Sequence, residues 1–402
     1  MKAGMVVAFI CAGLTAGLGM AFGQSDKPIK IGVLIDASSF SADLGGVGSV
    51  KAAQMAVEDQ GGRAAGRPVQ ILSADMQAKP DIATSIARKW FETEGVDAIA
   101  DLPTSSTTLA VQAIAREKKK ILLIAGATTT ELTGSQCSPY SVQWADDTNA
   151  LAVGAPKTLA AAGFKTWFFV AADFAFGTAM SKSAQAVVQA NGGKVLGEIR
   201  HPTDTADMSS YLLAAQNSHA QIIGLANVGT DLIASIKQAA EFGLAAGGQK
   251  LLGFMTFVTD VHALGLEESQ GLYVTTSFYW DANEKTRAFA KRFFALHGKM
   301  PTKEQAHVYL AIRHYLNAVD AVGSADSDTV IAKMKTTPTD EFGVPGSIRQ
   351  DGRVLYDLEV YQVKTPADSK YAWDYYKPYQ KITAAEAFKP MDEKACAFLA
   401  GK

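Results

Sequence analysis

Two stretches of hydroxyl side chains carry the clearest chemistry in the chain. Pro103-Thr104-Ser105-Ser106-Thr107-Thr108 and Gly126-Ala127-Thr128-Thr129-Thr130-Glu131 each follow a short apolar run. Hydroxyls and backbone N–H groups just beyond strand ends suit a small anion, above all a carboxylate, because helix N-termini there present unpaired donors. Helix capping is the alternative reading, since Ser and Thr are favoured N-caps. Capping accounts for one hydroxyl in each stretch and leaves several over. Gly46-Val47-Gly48 opens like a dinucleotide fingerprint, but Lys51 stands where the third glycine belongs, so a turn-and-cap role is expected. There is no Walker A pattern and no Gly-x-Ser-x-Gly elbow. The histidines, His201, His219, His262, His297, His307 and His314, lack metalloprotease spacing; His307 and His314 lie two turns apart on one expected helix. No cofactor, metal or catalytic centre is expected.

The hydroxyl stretches need a scaffold that ends strands side by side. Apolar runs at 29–35, 68–74, 98–102 and 121–125 read as buried strands, alternating with helical-period segments at 47–59, 81–94 and 109–119. The rhythm restarts near residue 148, with helices at 151–162, 180–190 and 231–242 and strands at 167–171, 194–199, 220–225, 251–255 and 273–276. Strand–helix alternation of this kind implies parallel sheets with right-handed crossovers, here in two lobes. Helices at 286–296, 304–321 and 329–334 follow, then an Asp351-Gly352 turn between 347–349 and the alternating run 354–363. Tyr371, Trp373, Tyr375, Tyr376 and Tyr379 read as a strap laid over a surface.

The 402 residues are 48% hydrophobic and 19% charged, with a formal net charge of −2. This composition supports sizeable cores and excludes wholesale disorder. It also argues against a nucleic-acid partner, which needs a concentrated basic surface. Lys2, the apolar stretch from Met5 to Leu18 and the small residues of Ala21-Phe22-Gly23 read as a signal peptide over residues 1–23, cleaved before Gln24. An uncleaved membrane anchor is the alternative, weakened by Gly4, Gly13, Gly17 and Gly19. Loss of the leader removes Cys11 and leaves Cys137 and Cys396. That even pair is expected to form a disulfide in an oxidising compartment, two free thiols being the alternative.

Lys30-Ile31-Gly32-Val33-Leu34, the Ser/Thr stretch at 104–108 and the segment from Gly126 to Thr133 resemble periplasmic binding proteins of the branched-chain amino-acid type, which serve ABC importers. The resemblance runs over roughly residues 28–364. It implies the type I fold of that family: two Rossmann-like α/β lobes with parallel sheets, joined by three crossovers. Lobe 1 is then 28–146 plus 277–353, lobe 2 is 147–276 plus 354–386, and 387–402 form a C-terminal tail. It further implies a monomeric periplasmic protein, not an enzyme, that closes over a solute and presents itself to an inner-membrane permease. A sensory binding module without a transport role is the alternative.

Carried over by position, Thr104, Ser105, Ser106, Thr107, Ala127 and Thr128 meet the ligand's carboxylate. Phe40 from the first loop, Phe174, Phe176, Asn227, Val228, Met255, Tyr279 and Trp280 form the remaining wall, with core packing an equal reading for Phe174, Phe176 and Met255. One departure bears on specificity. Amino-acid receptors of this family hold the ligand's ammonium with an acid near position 255, and this chain has Met255. A buried ammonium without a counter-charge is costly, so the expected ligand is an aromatic or other apolar organic carboxylate. Asp173, Asp231 and Glu131 remain as substitutes for the missing acid, which keeps an amino acid open as the alternative ligand.

Overall fold

The structure is a computed structural model that describes Met1 and residues 27–39 and 41–400. The expected leader, its cleavage point before Gln24, and Phe40 lie outside the described residues.

The first sheet has the order Arg63–Ala64, Arg67–Asp75, Ile29–Ile35, Ala98–Asp101, Ile121–Ile124, Ser141–Gln143. Its pairings are parallel apart from the Arg63–Ala64 hairpin. The central strands are apolar except for Lys30 and Asp101 because both faces are covered, and the period of two divides the residues between two cores. Ile31, Val33, Ala98, Ala100 and Leu123 face the helices Gly46–Asp59 and Lys303–Val322. Leu34, Ile99, Leu122 and Ile124 face Pro80–Lys89 and Ser105–Glu117. Gly32 belongs to the second set: a Cβ there would lie 2.3 Å from the Trp90 ring, so the indole occupies the space a side chain would need. Gly48 serves a similar end, since a Cβ there would meet Gln305 Nε2 at 2.1 Å, and the two helices touch through this bare backbone.

The second sheet runs Tyr376–Ile382, Leu358–Val363, Tyr273–Thr276, Lys250–Gly253, Ile222–Ala226, Thr166–Ala172, Lys194–His201. Its last five strands are parallel and the first two antiparallel. Lys194, Glu198 and Arg200 lie on one open edge, and Lys377, Pro378 and Lys381 on the other. A three-stranded sheet, Thr339–Glu341, Val344–Ile348 and Val354–Leu355, completes the first lobe.

The chain passes between the lobes three times. It crosses before the helix Thr148–Ala161, again after Tyr273–Thr276, and finally at Tyr356-Asp357. The alternating run 354–363 is therefore shared. Val354–Leu355 pairs with Val344–Ile348 in the first lobe, beyond the boundary expected at 353, and Leu358–Val363 joins the second sheet. Buried charges sit at these crossings. Lys303 Nζ lies 3.0 Å from Asp146, and Arg353 lies 3.6 Å from Asp147 with its guanidinium 4.7 Å from the Phe388 ring centre.

Several expected elements are corrected. The helix expected from 109 begins at Ser105, and the one expected from 180 begins at Ala175, because Ser-, Thr- and Gly-rich first turns imitate loops. The helices Val258–Leu264 and Leu266–Ser269 and the strand Ser141–Gln143 were not expected. The aromatic strap is half right: Tyr371 and Tyr379 are exposed, but Trp373 and Tyr376 are buried and Tyr376–Ile382 is an edge strand. The disulfide Cys137–Cys396 is formed, with Cα atoms 5.5 Å apart, and packs with Leu399.

Candidate ligand-binding site

Three loops leave the carboxyl ends of adjacent strands in the first lobe. The first is tied down by aspartates. Asp36 accepts from the Ser39 amide at 3.1 Å and from the Ser39 and Ser41 hydroxyls, and Asp75 accepts from the Ala37 amide at 3.0 Å and from Ser38 Oγ at 2.7 Å. The second loop is short and leads straight into the helix Ser105–Glu117. Its hydroxyls divide by burial. Thr107 Oγ1 donates to the Thr104 carbonyl at 2.8 Å, and Thr108 Oγ1 reaches the carbonyls of Leu102 and Thr104 at 3.0 and 2.7 Å; both side chains are buried and stiffen the turn. Thr104 and Ser105 are half-buried and Ser106 is exposed. Thr104, at the N-cap, makes no capping bond from its side chain. The first-turn N–H groups are therefore left for a ligand or water, the arrangement that favours an anion.

The third loop is fastened from below. Gln143 Nε2 donates to the carbonyls of Ala127 and Thr129 at 2.8 and 3.1 Å, and the Thr148 amide donates to the Thr128 carbonyl at 2.9 Å. The Thr129 amide donates to Ser105 Oγ at 3.3 Å, which joins the two hydroxyl loops. Thr128 is buried. Its hydroxyl has no protein partner among the described residues.

In the second lobe, Phe174 and Phe176 are half-buried with ring centres 5.7 Å apart, at the start of the helix Ala175–Ala190. Gly177 is required there, since a Cβ would sit 2.1 Å from the Ala172 carbonyl oxygen. Asn227 turns its amide nitrogen inward, donating to Ser235 Oγ at 2.9 Å and to His201 Nε2 at 3.1 Å, and its buried carbonyl oxygen is unpaired. Val228 and Met255 are buried. Phe254, beside Met255, is core, stacked on Phe169 at 6.1 Å.

Tyr279 and Trp280 spend their polar ends on the chain's own backbone. Tyr279 Oη and Trp280 Nε1 both donate to the Trp373 carbonyl, at 3.1 and 3.0 Å, and Tyr279 Oη also accepts from the Tyr375 amide. Trp373 has φ of +69° and its indole stacks on His262 with centres 3.7 Å apart. The strap at residues 373–375 was thus missed as the support of this aromatic pair. Its one sequence signal was the density of aromatic residues. A cavity of about 10 Å³ brings Thr256, Phe257, Tyr279, Trp280, Lys303 and Tyr376 together, and Lys303 Nζ lies 5.3 Å from the Phe257 ring centre across the lobes. No hydrogen bond or ring contact among the described residues joins Thr104–Thr128 to Phe174, Phe176 or Met255.

Several charged residues close to this region were also missed: Lys303, Glu304, Asp101 and Asp260. Burial pushes the Asp260 carboxyl up to about 7, against its bond from the Phe257 amide at 2.8 Å. Burial would likewise raise Asp146, but Lys303 and His307 hold it down at about 2. Burial drives the His307 imidazole down to about 4 despite Asp146 beside it. The acids kept open as ammonium partners are engaged or distant from water-free surroundings. Asp231 accepts from the amides of Asp204 and Thr205 at 3.2 and 2.9 Å, while Asp173 is exposed with Arg200 at 3.7 Å and Glu131 is exposed. Among the described residues there is no cluster of three or more His, Cys, Asp or Glu placed to hold a metal, and no helix long and apolar enough to cross a membrane.

A periplasmic binding protein family model matches residues 28–370. A solved periplasmic binding protein from Burkholderia mallei is 46% identical, covering 92% of this chain and 98% of that one, with a TM-score of 0.87. A branched chain amino acid ABC transporter periplasmic ligand-binding protein from Burkholderia xenovorans LB400 is 42% identical, covering 90% and 97%, with a TM-score of 0.84. The Leu/Ile/Val-binding protein homolog 6 of Brucella melitensis is 24% identical over 226 residues, so the chain spans 57% of the length of that curated relative and 55% of its own. Two more distant structures share the fold: a solute binding protein from R. palustris in complex with benzoate (21% identity, 89% and 97% covered, TM-score 0.78) and a leucine-, isoleucine-, valine-, threonine-, and alanine-binding protein from Brucella ovis (20%, 91% and 97%, 0.79). With two α/β lobes, three crossings and this match over most of its length, the chain belongs to the periplasmic binding protein family, whose members bind solutes and are not enzymes.

Proposed function

We propose that this protein is the extracytoplasmic solute-binding component of an ABC importer and that its ligand is a small aromatic or otherwise apolar carboxylate. The N–H groups at the start of the helix Ser105–Glu117, the Thr104, Ser105 and Thr128 hydroxyls and the backbone at Ala127 hold the carboxylate. Phe174, Phe176, Val228, Met255, Tyr279 and Trp280 supply the wall for its body. The second lobe then rotates about the three crossings until that wall excludes water, and the closed form is what an inner-membrane permease recognises.

The observation that carries the ligand class is the state of the acids. Met255 stands where an ammonium partner is needed, Asp231 is taken up by backbone amides, and Asp260 caps its own helix. A zwitterion would bury its ammonium unpaired. The benzoate complex of the R. palustris relative supports this reading. The second reading, a branched-chain amino acid, is favoured by the description of the Burkholderia xenovorans relative. Isothermal titration with benzoate and with leucine separates the two. Benzoate is expected to bind at least tenfold more tightly; tighter binding of leucine refutes the acid reading.

A further inference from the structure

Beneath the three first-lobe loops lie two carboxyl groups that sequence places 203 positions apart, Asp101 and Glu304. Both are buried, with exposures of 0% and 2%. Asp101 closes its strand and, with Leu102, adopts positive φ, +78° and +62°. Glu304 reaches under the loops from the first turn of the helix Lys303–Val322. A Cβ on Gly45 would lie 2.5 Å from Glu304 Oε1, and one on Gly126 would lie 2.6 Å from both Glu304 Oε1 and the Pro103 Cα. One carboxyl thus touches the backbone of the first and third loops, while its partner ends the strand that feeds the second.

As two carboxylates this pair cannot be satisfied. Both oxygens of Asp101, and Glu304 Oε1, find no donor. Carboxylates only accept, so the side-chain hydrogen bond that links Asp101 to Glu304 requires a proton on one of them. We propose that Asp101 and Glu304 share a proton and act as positioning residues for the ligand's carboxylate, pinning the three loops in register and keeping negative charge out of the floor beneath the bound anion. This inference rests on the acid-binding reading above.

The surroundings agree in sign. Burial and the facing carboxyl push Glu304 well above the ordinary range, and burial takes Asp101 up to about 7. Asp36, at the end of the first strand, adds further negative potential. Ser49, from the helix Gly46–Asp59, is near enough to oppose the rise of Asp101, but its hydroxyl also ends without a hydrogen-bond partner. Lys303, on Glu304's own helix, opposes the rise but is itself paired with Asp146 at 3.0 Å. His307, one turn along, is held neutral above about 4. Both acids are raised relative to the unfolded chain, so the benefit of the shared proton is complete at low pH and is lost as pH climbs through the folded values, near and above neutrality. An anion bound above the pair opposes ionisation further. Affinity therefore falls over the same range, and binding takes up protons.

The test is calorimetry with benzoate, which does not itself titrate between about pH 6 and 9. Titrations are run across that range, and near pH 8 in two buffers of different ionisation enthalpy. The wild-type Kd is expected to rise at least threefold, with protons taken up on binding. The isosteric double variant D101N/E304Q is expected to show neither effect. The two-buffer measurement uses the wild-type protein, so it stands even where the variant fails to fold. Benzoate heats that depend on neither pH nor buffer overturn the shared proton while leaving acid binding intact. An absence of benzoate binding at every pH overturns both readings together.

Discussion

Replacing Cys137 and Cys396 by serine tests how the tail is held. The bond joins residues separated by 259 positions, so the closed loop contains the whole second lobe and all three crossings. For a loop of that size the chain-entropy account gives about 5–6 kcal/mol of stabilisation at 25 °C, through the states it removes from the unfolded chain. Unfolding entropy near 2.1 cal/mol/K per residue over ~370 residues amounts to about 0.8 kcal/mol/K, so the loss corresponds to a fall in Tm of about 7 °C. A local effect competes. The cross-link sits in a small cluster of its own, with Leu399 buried and Met391 and Phe398 packed around it. If the tail merely undocks from that cluster before the lobes unfold, the loop is already open when cooperative unfolding begins, and little Tm is lost. Differential scanning calorimetry of the double serine variant distinguishes the two. A drop near 7 °C matches a constraint on the global unfolded state. A drop below about 2 °C refutes the loop argument and assigns the bond to local anchoring of the tail.

Other residues make separate demands. Thr128→Val removes the unpartnered hydroxyl of the third loop and should weaken benzoate binding by about 1–3 kcal/mol in calorimetric titration; unchanged affinity removes Thr128 from the site. Met255→Glu places a carboxylate in the proposed wall and should reduce benzoate binding, so tighter benzoate binding would count against that wall. Lys303→Met leaves Asp146 buried without its counter-charge and should cost about 3–5 kcal/mol in urea unfolding at neutral pH. Because Asp146 is held at about 2, below its unfolded value, the wild-type contribution is complete above about pH 4 and disappears as pH falls towards 2. Acid unfolding of the wild type should reveal that loss, and an identical acid limb in Lys303→Met would contradict it.

Much of the architecture is legible because parallel strands covered on both faces leave largely apolar runs, such as Ile29–Ile35 with its single Lys30 and Ile121–Ile124, and glycines punctuate the helices between them. The hydroxyl loops were legible by composition, but their division of labour was not. Thr107 and Thr108 turn inward to carbonyls while Thr104 and Ser105 stay half-buried, and only three-dimensional packing decides between the two. The strand Tyr376–Ile382 escaped recognition because its five central residues are exposed and are a proline, a tyrosine and three polar residues, as an edge position permits. The Lys303-Glu304 dipeptide reads as an ordinary solvated first turn, and nothing local reveals that both side chains are buried. The partner of Glu304 lies in another strand entirely, and such long-range pairings leave no periodic trace.

The open edges of the seven-stranded sheet have a consequence for life at high concentration. Each exposes backbone groups that another chain could adopt as a template. One edge carries Lys194, Glu198 and Arg200, with Arg200 and Glu198 paired at 2.7 Å, and the other carries Lys377, Lys381 and a proline that lacks the N–H an incoming strand would need. These residues make strand-to-strand polymerisation unfavourable even where many copies crowd together. A solute carrier of the proposed kind, which moves between captured ligand and a membrane complex, keeps its freedom to diffuse by the same means.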